Sequence, residues 1–271
     1  MAANFVAASD QYLLRTGAPV TAPPFTMACW ARPTFAGNGG GNQGAISIAN
    51  GSTGFSQWTL GVDGTPEWWI RRDEATSNLD ELDVATGIVA NTWQFAVARI
   101  VSASNCWLHI LNASGSISSG QTVLTRNPTG INNMVIGAPG DSTEIGNSSF
   151  DGPIAEAWIA NIDIQPDGGT IDQTFMRYLA WNGPWSIPRI AASIVEYKPL
   201  LQNFVAGPEN YAQSGFSVWT QTNGPLSIYP APPLAPGYLR PTPVSIRRPV
   251  LWVGRTTAPP ALGAAQQFVV T

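Results

Sequence analysis

Along the first 160 residues the apolar positions gather in short runs, parted by Gly, Asn, Pro and Ser. The runs lie at 25–30, 45–48, 58–62, 68–70, 93–98, 106–111, 133–137 and 154–159. They are rich in Trp, Phe, Ile and Val, which suit a pleated, half-buried surface. Asn50-Gly51, Asp63-Gly64 and Asp151-Gly152 fall between runs and supply residues that tolerate the positive φ of tight turns. Many short strands broken by turn signals predict an all-β sandwich or barrel rather than an α/β sheet. One stretch, 170–180, has helical spacing: Ile171, Phe175 and Leu179 share a face, and Thr170 stands where an N-cap would.

The order of these runs resembles the LamG-type, concanavalin A-like jelly roll. Phe5 followed by Asp10-Gln11-Tyr12-Leu13 is similar to that family's first strand. The stretch 25–33, with Trp30, Arg32 and Pro33, is similar to its second signature. Residues 93–99 and 107–112 resemble the paired central strands, with His109 where an aromatic residue is usual. Residues 134–138 and 150–159 resemble the closing strands. The resemblance covers about two thirds of the chain and implies an all-β concanavalin A-like jelly-roll sandwich over 1–187. That fold hosts lectins and glycosidases alike, so function has to be argued from the site.

Beyond residue 187 the character changes. Residues 194–200, ending Tyr197-Lys198-Pro199-Leu200, resemble the segment that follows such jelly rolls in bacteriophage and prophage proteins. A small β segment is expected over 188–235, packed on or beside the jelly roll, and an extended arm over 236–271. Pro230, Pro232, Pro233, Pro236, Pro241 and Pro243 remove backbone donors and fix φ, favouring polyproline II. The runs 244–248, 250–253 and 266–270 are short enough to add to a sheet edge. A flexible linker would be more polar, and a disordered tail would not carry Trp252 and Phe268. The expected role of Arg247, Arg248, Trp252 and Phe268 is to hold the arm to another subunit; the alternative is an arm wrapped on its own domain.

Composition sharpens this. Only 11% of residues are charged, against about 25% in an ordinary domain. Such a surface repels itself weakly, which suits burial in an assembly or a salt-tolerant secreted domain. A net charge of −4 gives no reason to expect nucleic-acid binding. No apolar run reaches the roughly 18–20 residues of a spanning helix, so no membrane partner is expected. Cys29 and Cys106 lie in strand-like runs beside Trp30 and Trp107, predicting two buried, reduced thiols. The start has neither a basic n-region nor an apolar h-region. Synthesis in a host cytoplasm and residence in a virion is the expectation.

Catalytic candidates are few. A retaining glycosidase needs two carboxyl groups about 5–5.5 Å apart, and glucanases of this superfamily carry three acidic residues on one strand. The nearest run, Asp80-Glu81-Leu82-Asp83, lacks the third, and 73–83 reads as a solvated loop. Glu156 has no acidic residue at i±2 or i±4, and His109, the only histidine, alternates with Leu108 and Ile110 as a packed strand residue does. No catalytic residue is expected. No cofactor is implied apart from calcium, whose candidates are Asp141, Glu144, Asn147 and Asp151 in a glycine-rich loop. A saccharide site needs an exposed aromatic platform. Trp68 and Trp69 are adjacent, which turns them to opposite faces of a strand and leaves one for the surface; Trp181 and Trp185 flank a Gly-Pro turn. The expected function is a non-enzymatic bacteriophage virion protein, for capsid decoration or a head or tail fibre, homo-oligomeric and bound to other virion subunits. The alternative is an adhesin or receptor-binding protein for cell-surface glycans.

Overall fold

The computed structural model describes residues 2–34, 42–52, 54, 56–63, 67–74, 78–85, 90–112, 114–123, 126–140, 148–165, 169–198, 219–222 and 227–229, with backbone only at 78, 79, 85 and 227–229. Expectations for Arg247, Arg248, Trp252, Phe268, Asp141, Glu144 and Asn147 fall outside these residues.

Two antiparallel sheets form a jelly-roll sandwich. The first holds β10 (Ile117–Thr122), β9 (Asn105–Leu111), β8 (Gln94–Ser102), β3 (Phe25–Ala31), β12 (Gly152–Ala160), β1 (Ala2–Phe5) and β15 (Ser227–Tyr229) in that order, with β13 (Ile194–Lys198) also paired to β12. The second runs β14 (Trp219–Thr222), β2 (Tyr12–Thr16), β11 (Asn133–Ile136), β4 (Gln43–Ala49), β5 (Gln57–Val62), β6 (Glu67–Glu74) and β7 (Asn78–Ala85). Residues after 187 therefore give strands to both sheets.

Between the sheets the inward side chains interlock, with Trp58 edge-on to Phe25 at 5.3 Å and Trp68, Phe5 and Phe150 fully buried. The eight-stranded sheet is covered on its outer face too. There Trp30, Val97, Trp158 and Tyr197 meet helix α1 (Gln173–Asn182) and helix α2 (Pro188–Ser193). Two covered faces explain why every residue of β3 is buried and its sequence reads as a continuous apolar run. The helix starts later than the sequence implies: Asp172, not Thr170, is the N-cap, its carboxylate accepting the Phe175 N–H at 2.9 Å. Cys29 and Cys106 are both free and buried, and burial pushes the Cys106 thiol up to about 11.

Residues 73, 74 and 78–83 depart from the expected loop: they belong to β6 and β7, which pair antiparallel. Glu81 and Asp83 point outward while Leu82 and Val84 point into the core, so the acidic run carries the period-two pattern of a half-buried edge strand.

Candidate binding surface

Three places carry the sequence candidates. The first is the interior of the seven-stranded sheet, where Trp68 and Trp69 lie. They face opposite ways as expected, but neither reaches the surface. Trp68 enters the inter-sheet core and donates its indole N–H to Gln94 Oε1 at 2.8 Å. Trp69 occupies the outer face, fully buried, its ring lying over Gly61, whose missing Cβ would stand 2.5 Å from Trp69 Cζ2. Strand β6 is flanked on both sides and covered on both faces, so strand alternation alone could not expose either ring.

The outer face that holds Trp69 is polar nonetheless. One row crosses all seven strands as Thr220, Leu14, Val135, Ser47, Thr59, Arg71 and Glu81. Ser47, Gln57 and Thr59 hydrogen-bond to one another at 2.9–3.1 Å, and Gln57 passes the network to Asp73 at 2.9 Å. Gly140 closes it by donating its N–H to both Ser47 Oγ and Gln57 Oε1 at 3.0 Å. Buried polar groups with this many partners hold a sheet face in one arrangement.

The second place is Asp151. Its carboxylate accepts the Ala7 N–H and the Thr34 hydroxyl, while its own N–H goes to Gln43 Oε1 at 3.0 Å. Those bonds join three separate segments and occupy both carboxylate oxygens with donors. Among the described residues no group of three or more His, Cys, Asp and Glu side chains is placed to hold a metal ion.

The third place is the corner made by α1 and the 3₁₀ turn Pro184–Ser186. Tyr178 and Trp181 lie one turn apart on the same side of α1 and are 47% and 39% exposed, where almost every other large apolar side chain among the described residues is covered. Trp185 is half-buried and stands edge-on to Tyr197, with ring centroids 5.3 Å apart. The Tyr197 hydroxyl donates to the Glu156 carboxylate. Glu156 takes a left-handed φ of 50° at the bulge that interrupts the pairing of β12 with β3. The platform is held from below. Trp30 Nε1 donates to Ala180 O at 3.0 Å, and Arg177 and Gln173 donate to Gly115 O at 2.6–3.0 Å. The sequence marked Trp181 and Trp185 but not Tyr178, nor the contact between Tyr197 and Glu156, which lie 41 residues apart.

His109, a candidate only as the sole histidine, is fully buried and stacked on Trp107 at 5.8 Å. Arg99 donates toward its Nε2 at 3.4 Å, so Nδ1 carries the proton toward Ser119 Oγ at 2.8 Å. Burial and the Arg99 charge hold it down at about 3, a neutral packed ring.

No family model matches the chain, LamG-type ones included, and no curated protein matches it. The fold is shared with solved structures. A proposed carbohydrate-binding protein of Bacteroides ovatus is 13% identical with a TM-score of 0.54, over 86% of this chain and 61% of that one. Tailspike protein 2 of an Escherichia coli O157:H7 bacteriophage is 17% identical with a TM-score of 0.49, over 70% of this chain and 25% of its own. The pentraxin of Limulus polyphemus is 11% identical with a TM-score of 0.47, over 64% and 77%. At these identities the likeness is one of fold, the jelly-roll sandwich.

Proposed function

We propose that this chain is a non-enzymatic, lectin-like component of a bacteriophage virion that presents a saccharide-binding surface at Tyr178, Trp181 and Trp185. The observation that carries the binding surface is the exposed aromatic pair on a clamped helix. Flat rings stack on the C–H faces of a sugar, and a rigid platform loses little entropy on binding. The virion part is supported by the charge-poor composition, the arm expected over 236–271 and the resemblance of 194–200 to phage proteins. The absence of hydrolysis rests on chemistry: Glu81 and Asp83 share the outer face of β7, but the third carboxylate that glucanases of this superfamily carry on one strand is missing.

The test is a glycan screen of wild type against Trp181→Ala. Specific retention by the wild type, weakened about tenfold or more by the substitution, supports the binding surface; equal binding by both moves the site elsewhere. Glu81→Gln and Glu156→Gln proteins should match wild type in having no polysaccharide hydrolysis. Release of sugar by wild type and its loss in either variant would overturn the non-enzymatic reading. The second reading, an adhesin or receptor-binding protein without a structural place in a particle, is favoured if the protein binds glycan but is not found in purified virions.

A further inference from the structure

Four carboxylates crowd the outer face of the seven-stranded sheet where β5, β6 and β7 end. Glu67 feels the charges of Asp63 and Asp83, and Glu81 those of Asp83 and Asp63. Burial together with this repulsion raises Glu67 and lifts Glu81 to about 7. Among the described residues none of Glu67, Glu81 and Asp83 forms an ion pair; the neighbouring Arg71 directs its Nε to Asp73 at 2.9 Å. Trp69 lies within this ring of charge, opposite Asp83, and its buried indole N–H has no acceptor among the described residues. Strand β7 is also the last of its sheet, with Asp83 exposed. Arg71, across the strand from Glu81, gives this edge one cation against four carboxylates, and among the described strands none pairs with the far side of β7.

The chain itself holds a complement. Of its thirteen basic residues, Arg240, Arg247, Arg248 and Arg255 lie beyond residue 209, and none of its seventeen acidic residues does. The last part of the chain thus carries +4 and the first 209 residues −8. We propose that the acidic end of β7 is the docking site for the arm, residues 236–271, of a second copy of this chain, which adds as a strand along β7 and places an arginine of the Arg247-Arg248 pair between Glu81 and Asp83. The inference rests on the reading that the arm joins subunits, and names the surface that receives it. A guanidinium fork can bond two carboxylates at once and relieve their repulsion. Strand addition supplies main-chain hydrogen bonds, while the arginine fixes the register. The occupant is a second copy because the arm is read as joining subunits, and its charge of +4 complements the −8 of the first 209 residues.

The experiment is the mass of the full chain by light scattering across a salt series, for four proteins. These are wild type, Glu81→Gln/Asp83→Asn, Arg247→Glu/Arg248→Glu, and the swap that joins Glu81→Arg/Asp83→Arg with Arg247→Glu/Arg248→Glu. We expect wild type to associate, with affinity falling about tenfold as salt screens the contact, both half-variants to be monomeric, and the swap to associate again. Glu81→Gln/Asp83→Asn removes a repulsion, so its melting temperature should not fall, which separates lost docking from lost folding. If the arginine variant is monomeric but the acidic variant keeps the wild-type mass, the arm joins subunits through another surface and this proposal fails alone. If both half-variants are monomeric and the swap stays so, the direct pairing is wrong. A monomeric wild type, or no change in either half-variant, overturns the docking site and the assembling arm together.

Discussion

Arg99 is fully buried, yet every part of its guanidinium is engaged. Nε and Nη2 meet the two oxygens of Asp163 at 2.6 and 2.8 Å, and Gly169 O and Gln165 O accept at 2.6 and 2.9 Å. The pair ties the chain after β12 to β8, and its value lies in not being broken. Asp163→Asn leaves a buried cation half-paired and should cost about 3–5 kcal/mol in denaturant unfolding. Arg99→Lys should be destabilising too, because an ammonium cannot reproduce the two-pronged contact. His109 beside it is held at about 3 in the folded chain, below the ordinary 6.5. As pH falls from about 6.5 toward 3, the unfolded chain takes up a proton that folded His109 refuses, so stability drops over that window. His109→Gln should make this acid limb shallower, measured as melting temperature against pH. Glu81 acts in the other direction: raised to about 7, it binds its proton more tightly when folded. It therefore subtracts stability as pH rises from about 4.5 to 7, and Glu81→Gln should flatten that slope.

Two elements depend on positions where the backbone or a cap decides the outcome. At the end of β11, Gly137 has a φ of 91°, and a Cβ there would stand 2.4 Å from Phe5 Cδ1. Gly137→Ala adds a left-handed penalty to a clash inside the core and should cost about 3 kcal/mol. Helix α1 carries the aromatic platform on one side and buries Met176, Leu179 and Ala180 on the other. Removing its cap with Asp172→Ala should cost about 1 kcal/mol of unfolding free energy. Glycan affinity should change little, because Trp30, Arg177 and Gln173 still hold the helix down. A loss of binding as large as that of Trp181→Ala would mean that the helix start, rather than the exposed rings, forms the site.

Across the whole molecule the late strands close what the early ones open. Glu196 of β13 reaches Arg15 of β2 at 2.9 Å and accepts the Trp219 indole N–H at 3.3 Å, with the Lys198 ammonium over the same ring. Charge is thereby buried between the sheets, where one missing partner strands the others. A chain ending at residue 198 loses Trp219 from the core and leaves β2 as an open edge. It should melt well below a chain ending at residue 239, by circular dichroism; equal melting would show that β14 and β15 add nothing to the sandwich.

The sequence alone determined the class of fold, because period-two runs rich in Trp and β-branched residues can bury their faces only as stacked antiparallel sheets. Even the hairpin of β6 and β7 was legible, since Glu81-Leu82-Asp83-Val84 alternates outward and inward side chains; its charge density read as loop because composition masked the period. It also placed Trp181 and Trp185 beside a turn. Accessibility was decided elsewhere. Trp68 and Trp69 obey strand alternation and are both buried, because exposure depends on what covers each face, and those layers come from distant parts of the chain. The same holds for Glu156 with Tyr197 and for Asp151 between Ala7 and Thr34. Each group is assembled by pairing across large sequence separations, which no local pattern records.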